Sequence, residues 1–502
     1  MARSALFNRI FIRAPFLFWL PALLVALWAV ASAYQLRWTA DDAFISFRYA
    51  RAAAAGNGLT FNPGERVEGY TNFLWTVLLV PAEYLKLNVE HVAWCLGLAA
   101  YCGLLVSIYW HMRKDEIWPG FFAAFCLLDH SRIFATSGLE TSLFAFLITA
   151  GLLQVARGPG SATRGFPVLA LASLTRPDGV LVYLAAGLYC IREGAHGTLR
   201  EWLRAQLRLH LPAMILLLPV WALRSLYYGD IVPNTFYAKS AYRAFASQGL
   251  IYAGLFAQSY WLLSAMTLLA LLLPRSWRGP ARLYAMSIAI WLLYVIYVGG
   301  DFMFARFLVP VLPAACLLLH EVLCDVLHQR PFLRAAIYSG LCLSLVFRPD
   351  PFARSPVVGH ISEEHKIYTR EGRRALANAA LGIRADLLAS SVRVGFVGAQ
   401  AAFLYYWYPL FGIESETGLT DKSIASQTLS ERGKVGHEKQ ARFEYLRERG
   451  VHLLMRPPPE GWPPAKTVRL RGIPGEMTIV LNEAAVFDSL KASGAVESPT
   501  RP

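Results

Sequence analysis

No cysteine follows Cys342, and the seven in the chain (Cys95, Cys102, Cys126, Cys190, Cys316, Cys324 and Cys342) all lie within or beside apolar runs. The polar C-terminal stretch therefore carries no disulfide framework, and no CxxC pair offers a metal site. The cysteines read as small buried hydrophobes. His91, His111 and His130 also lack metal-ligand spacing. No internal repeat or low-complexity block is visible. Charge is scarce: 16% of the 502 residues are charged and 56% are hydrophobic. That balance excludes an ordinary soluble chain, because about 20 consecutive apolar residues span a hydrocarbon core and many segments here approach that length. A cleaved signal peptide is a poor reading of the start. The run WLPALLVALWAVASAY is too long, ends without an A-x-A site and is followed by more runs like it.

What charge there is has a net sign of +14. The basic residues sit in short loops between apolar runs, as the positive-inside rule predicts, so nucleic-acid binding is not expected. Arg3, Arg9 and Arg13 place the N-terminus in the cytoplasm and the first loop, 35–70, outside. The stretch 71–87 contains Pro81 and Glu83 and reads as a juxtamembrane or re-entrant element. Spans follow near 91–110, 117–130 and 140–156. LTRPDG interrupts 166–191, and basic flanks on both sides divide that stretch into two short spans with an outer turn. Further spans fall at 211–227, 251–273, 283–298, 307–327 and 335–347. The expected fold class is thus a polytopic α-helical membrane protein of about eleven transmembrane helices. Residues 1–349 form the membrane domain. Residues 350–490 form a small extracytoplasmic α/β domain, with an amphipathic helix in HISEEHKIYTREGRRALANAALGIRADLL and strands in VRVGFVG, VHLLM and MTIVL. Residues 491–502 read as a disordered tail.

This topology gathers the unusual loops on one face. TADDAFISF, ERVEGYTNF, SGLETS, TRPDG, GDIVPNTFYAK and GGDFMFAR all fall outside and mix acids, cations, amides and aromatics. One-sided polar chemistry at a membrane surface points to a substrate site. Thr39 lies three residues before Asp42, a capping-box spacing, so Asp42 is expected at N3 of the following helix. Asp41 has no capping duty in that register. It projects from the first turn at headgroup depth, where an unpaired acid is costly, and is the favoured catalytic carboxylate.

A carboxylate at that depth suits transfer of a sugar from a polyprenyl-phosphate donor. The lipid phosphate can leave without a general acid; the reaction needs a base for the acceptor hydroxyl and cations near the phosphate. Arg48, Arg176, Lys239 and Arg306 are the candidate phosphate ligands, two of them being expected to serve. Glu65, Glu68 and Glu140 either line the acceptor path or pair with arginines. Tyr70, Trp75, Phe236 and Tyr237 either stack on sugars or form an aromatic belt. Asp178 serves as turn chemistry or substrate ligand, and Asp301 follows two glycines that permit close backbone approach. Asn72 and Asn234 complete the candidate substrate ligands. A divalent cation beside Asp41 is compatible with that acid, although spacing reveals no ligand cluster. The rival reading is a transporter or flippase of a lipid-linked sugar; the absence of a repeat and the one-sided placement of charge favour the enzyme.

The run from DDAFISFRYARAAAAGNGLTF to GERVEGYTNFLW resembles the first outer loop of a bacterial GT-C glycosyltransferase family, that of the terminal β-(1→2)-arabinofuranosyltransferases. GLETSL, LTRPDG, PNTFYAK, GGDFMFARFLVP and GLTDKSIA resemble that family in the same order. The resemblance implies a GT-C-like multispanning fold in the bacterial inner membrane, with an extracytoplasmic C-terminal domain. It also implies an inverting transfer from a polyprenyl-phosphate sugar, arabinofuranose as the best guess, to a hydroxyl of a cell-envelope glycan or glycoconjugate. The essential acid of the first outer loop falls on Asp41 or Asp42. One departure stands in the tail, where Gly398-Ala399-Gln400 occupies a region in which the family pattern has an acid.

Overall fold

A computed structural model of the protein describes residues 15–113, 120–193, 198–240, 243–386, 392–409, 411–429, 432–470, 475–492 and 496–497. Arg3, Arg9 and Arg13, on which the expected orientation rests, lie outside the described residues, as do 493–495 and 498–502 of the expected tail.

The apolar runs form helices: α1 Pro15–Gln35, α2 Ala43–Ala54, α3 Phe73–Tyr84, α4 Val89–Met112, α5 Gly120–Leu127, α6 Asp129–Ile133, α7 Thr141–Ala156, α8 Pro159–Thr175 and α9 Gly179–Glu193. Then come α10 Leu199–Tyr228, α11 Asn234–Ala238, α12 Ala246–Ser259, α13 Trp261–Leu272, α14 Gly279–Val298, α15 Leu312–Val326 and α16 Pro331–Val346. Among the described residues, four helices are long and apolar enough to cross a membrane, or six if each of two bent pairs is one span. The chain is a multi-pass membrane protein. The stretch expected near 117–130 ends as a helix at Leu127, and α6 starts anew after Leu128, whose backbone is extended. One expected single span is broken. The stretch 251–273 bends by 115° at Tyr260, between α12 and α13. The expected juxtamembrane element is α3, twelve residues with Pro81 inside it and too short to span. LTRPDG forms the turn between α8 and α9.

The chain divides into two compact units that do not follow chain order. The first, 1–37, 93–220 and 245–363, is helical. In it α7 packs on α8, α9 on α14, α14 on α15 and α5 on α16. A Cβ on Gly165 would stand 2.9 Å from the Gly151 carbonyl oxygen and from Val155, so α7 and α8 can meet only because no side chain intervenes. A short antiparallel pair, β1 Val357–Val358 with β2 Ile361–Ser362, closes the unit. Ser362 donates to the Phe302 carbonyl at 2.6 Å, and Phe304 donates back to Ser362 at 2.9 Å. The GGDFMFAR loop is thereby pinned on a backbone ladder.

The second unit combines 38–92, 221–244 and 364–502. The expected amphipathic helix is α17, Arg370–Asp386. The sheet holds six strands: β3 Arg393–Phe396, β4 Phe411–Glu414, β5 Leu453–Leu454, β6 Thr467–Leu470, β7 Met477–Ile479 and β8 Val496–Glu497, in spatial order β4-β3-β5-β7-β6-β8. β3 runs parallel to both β4 and β5; the remaining pairs are antiparallel. A parallel pair needs a crossover, and α18, Ala401–Trp407, lies in the one between β3 and β4. The three strands read from the sequence are β3, β5 and β7. Ile413, Ile424, Leu446, Val451 and Leu454 form a hydrophobic core beside the sheet.

Candidate functional site

Asp41 belongs to the second unit and precedes α2 rather than projecting from its first turn. It is 1% exposed. Its Oδ1 accepts from Arg373 Nη1 at 3.1 Å and from the Ala402 N–H at 3.1 Å, and its Oδ2 accepts from the Ala401 N–H at 2.7 Å. Arg373, on α17, also donates to the Thr39 carbonyl at 3.0 Å. A carboxylate has about four lone-pair sites, so these bonds leave one on Oδ2. Burial pushes the Asp41 carboxyl above its ordinary range, opposed by the Arg373 charge and the two backbone donors. The expected capping box does not form: α2 begins at Ala43, so Asp42 stands at the N-cap position in αR geometry and makes no side-chain cap bond. Asp41 instead binds the first N–H groups of α18, 360 residues further along the chain. Asp42 is half-buried and is the more accessible acid of the two.

The loop that leads into α18 carries a second feature. A Cβ on Gly398 would stand 2.3 Å from His437 Nε2, so only glycine lets this backbone lie against the imidazole. Burial pushes His437 down to about 4, and the charges of Lys434 and Lys239 press in the same direction. Lys239 runs alongside Gly436. Its ammonium makes no hydrogen bond or ion pair with a described residue. A basic group built from Lys239 and Lys434 around a neutral imidazole thus adjoins the loop whose far end binds Asp41. Sequence reading found Lys239 but missed Arg373, Lys434 and His437, which lie far along the chain in segments with no motif of their own.

Other expected residues of this unit are engaged internally. Arg48 donates to three backbone carbonyls, those of Phe61 at 3.1 Å, Leu404 at 3.3 Å and Pro409 at 3.0 Å, while its guanidinium lies over the Phe61 ring. This is a structural clamp rather than a phosphate ligand held in readiness. Glu68 is buried and paired with Arg224; burial pushes it up to about 7, against the pull of that cation. Tyr70 is buried, with its hydroxyl 3.1 Å from that of Tyr228. Asn72 Oδ1 accepts from Ser46 at 3.0 Å and from Thr76 at 3.1 Å. Asn234 Nδ2 donates to the carbonyls of Gly418 at 2.8 Å and Leu419 at 3.0 Å, holding the GLTDKSIA motif. In that motif Asp421 caps the short helix Lys422–Ala425 through the Ser423 and Ile424 N–H groups. Tyr237 is half-buried and donates to Asp230 at 3.2 Å.

The remaining expected residues meet in the first unit. Arg176 grips Asp178 with two donors, at 3.0 and 2.6 Å, and reaches Glu140 at 3.4 Å. Arg306 contacts the same Glu140 oxygen at 3.2 Å and Asp301 at 3.4 Å. The pairing half of the reading for Glu140 holds, and Asp178 is both turn residue and ion-pair partner. The Arg176–Asp178 fork is tight, whereas Arg306 stands 3.2 Å from Glu140 and 3.4 Å from Asp301. Among the described residues no group of three His, Cys, Asp or Glu side chains is placed to hold a metal ion.

These arrangements can be set beside known proteins. No family model matches the chain. A crystal structure of ArnT from Cupriavidus metallidurans, bound to undecaprenyl phosphate, aligns with 80% of this chain and 86% of its own, with a TM-score of 0.54 at 14% identity. The fold is that of ArnT. The ArnT fold is a GT-C architecture, mostly helical with several apolar helices, as the described residues have it. Sequence similarity leads to the terminal β-(1→2)-arabinofuranosyltransferases. That of Corynebacterium glutamicum is 30% identical over 345 residues, covering 60% of this chain and 50% of the relative. That of Mycobacterium tuberculosis is 31% identical over 351 residues, covering 60% and 54%. The chain spans about half the length of the curated relatives it matches.

Proposed function

We propose that the chain is an inverting glycosyltransferase of the inner membrane. It moves a sugar, arabinofuranose as the first choice, from a polyprenyl-phosphate donor to a hydroxyl of an envelope glycan or glycoconjugate on the outer face. The observation that carries this reading is a buried, oriented carboxylate, Asp41, next to a loop that adjoins a basic group, on an ArnT fold. In the reaction the acceptor oxygen bonds the anomeric carbon, the bond from that carbon to the phosphate oxygen breaks, and polyprenyl phosphate leaves. The acceptor proton passes to Asp41 Oδ2, the oxygen that keeps a lone pair. Arg373 and the α18 N–H groups fix its direction, and burial raises its basicity towards what a general base needs. Lys239 and Lys434 meet the charge that gathers on the phosphate.

A second reading gives the proton to Asp42, because Asp41 is 1% exposed and Asp42 is half-buried. The two are separated by incubating purified protein with polyprenyl-phosphate pentoses and hexoses plus an envelope glycan acceptor, and measuring released polyprenyl phosphate. Asp41→Asn is expected to lower transfer at least about a hundredfold while donor binding stays near the parent value. Asp42→Asn is expected to keep most of its turnover. A well-folded Asp42→Asn protein without turnover would hand the role to that residue, and no release from any donor would end the transferase reading.

A further inference from the structure

The link between the short helix Glu364–Ile367 and α17 belongs to the second unit and carries Tyr368. The Tyr368 N–H donates to the Glu364 carbonyl at 2.9 Å, and the Arg373 N–H donates to the Thr369 carbonyl at 2.9 Å. Backbone bonds thus hold both residues in place. The Arg373 guanidinium lies 4.8 Å from the centre of the Tyr368 ring and 5.0 Å from that of the Phe44 ring. The same guanidinium holds Asp41 at 3.1 Å. Asp41, Arg373 and Phe44 are buried, whereas Tyr368 keeps part of its surface exposed. Tyr368 is therefore the member of this group that a substrate can touch. Its ring is taken up by Arg373, but its hydroxyl makes no hydrogen bond with a described residue. Burial, then the charges of Asp41, Glu364 and Asp42, push the phenol well above its ordinary range, against the pull of Arg373. The hydroxyl stays protonated and has a hydrogen to donate.

We propose that Tyr368 binds the acceptor sugar, its hydroxyl donating to an acceptor oxygen other than the one that attacks. The proposal rests on the transfer reading and deepens it. An inverting displacement sets the attacking and leaving oxygens on opposite sides of the anomeric carbon. A residue that shares Arg373 with the base stands on the attacking side, away from the phosphate. Either acid fits this placement, because the phenol feels both Asp41 and Asp42. A glycan brings further hydroxyl oxygens next to its reacting one, whereas a simple alcohol would leave the phenol unpaired, at a cost. The acceptor class is thus a sugar with at least one free hydroxyl beyond the one that reacts.

The test uses the purified full chain in detergent with polyprenyl-phosphate pentoses and hexoses as donors. Released polyprenyl phosphate is measured with octyl arabinofuranoside, octyl hexopyranosides, octanol or water alone as acceptor. A glycoside should stimulate release by the parent, and octanol should not. Tyr368→Phe keeps the ring on Arg373 and should raise the acceptor KM about tenfold, the loss of one hydrogen bond. Its donor KM, kcat, water-driven release and thermal midpoint should stay at the parent values, a split that a merely structural tyrosine would not give. The stimulating glycoside is then tested with one hydroxyl removed at a time. One such deoxy analogue should show the same rise of about tenfold with the parent and no further rise with Tyr368→Phe. An unchanged acceptor KM in Tyr368→Phe, a rise in donor KM instead, no deoxy analogue with a raised KM, or release that no glycoside stimulates would each overturn the proposal and leave the transfer reading standing. No release from any donor by the parent would end the transfer reading and this proposal with it.

Discussion

Arg373 offers a cleaner probe of Asp41 than Asp41 itself. Arg373→Gln removes the cation that holds the carboxyl down and leaves the burial that pushes it up. The carboxyl must then rise further, so the acid limb of the pH–rate profile is expected to move to higher pH, while a merely structural Asp41 would leave that limb in place. The variant should also lose about 3–5 kcal/mol of stability, because Asp41 stays buried without its partner. Glu68 gives a second pH signature. It binds its proton more tightly folded, at about 7, than at the ordinary 4.5. The Glu68 contribution to stability is therefore greatest at low pH and is lost as pH rises from about 4.5 to 7, by up to about 3 kcal/mol. Glu68→Gln should make that decline shallower, with Glu414, also pushed up to about 7 by burial, supplying the rest, when thermal midpoints in detergent are compared across pH. Sequence reading chose Asp41 from its exposure near lipid, whereas the structure buries it against Arg373, 332 residues away. Local spacing carries no signal for a partner at that distance.

Elements were more legible than partners. Apolar runs and basic loops mark nearly every helix of the first unit, and TRPDG is the turn they indicate, because proline and glycine act locally. The break at Tyr260 escaped notice because hydropathy continues across it and no proline or glycine marks it. The capping spacing at Thr39 misled for the opposite reason: the side-chain pattern is there, but the backbone delays the helix to Ala43. β4 and β6 were missed in FGIE and TVRL, which are too short to display a period. The α7–α8 seam makes the element-scale prediction. Gly165→Val would drive a branched side chain into the Gly151 carbonyl and Val155, and overpacking of this kind costs about 1–3 kcal/mol. The measurement is a drop in the thermal midpoint; Gly160→Val, at a position with open space, serves as the control.

For the whole molecule, the expected orientation remains a proposal, and a fusion tests it. Alkaline phosphatase joined after Pro502 is active only outside the cytoplasm, so an active fusion is expected and an inactive one would turn the topology over. A deeper constraint lies in the Arg48 clamp, which spans 356 residues to Leu404. At 5–20 residues per second a ribosome needs roughly 20–70 s to travel from one to the other. Throughout that time a cation destined for the interior has no carbonyls from the tail to receive it. The first loop must wait, wet and unfinished, until the last third of the chain arrives. Stop codons near residue 400 should therefore yield not a smaller working protein but one that quality-control proteases recognise at its beginning rather than at its cut end.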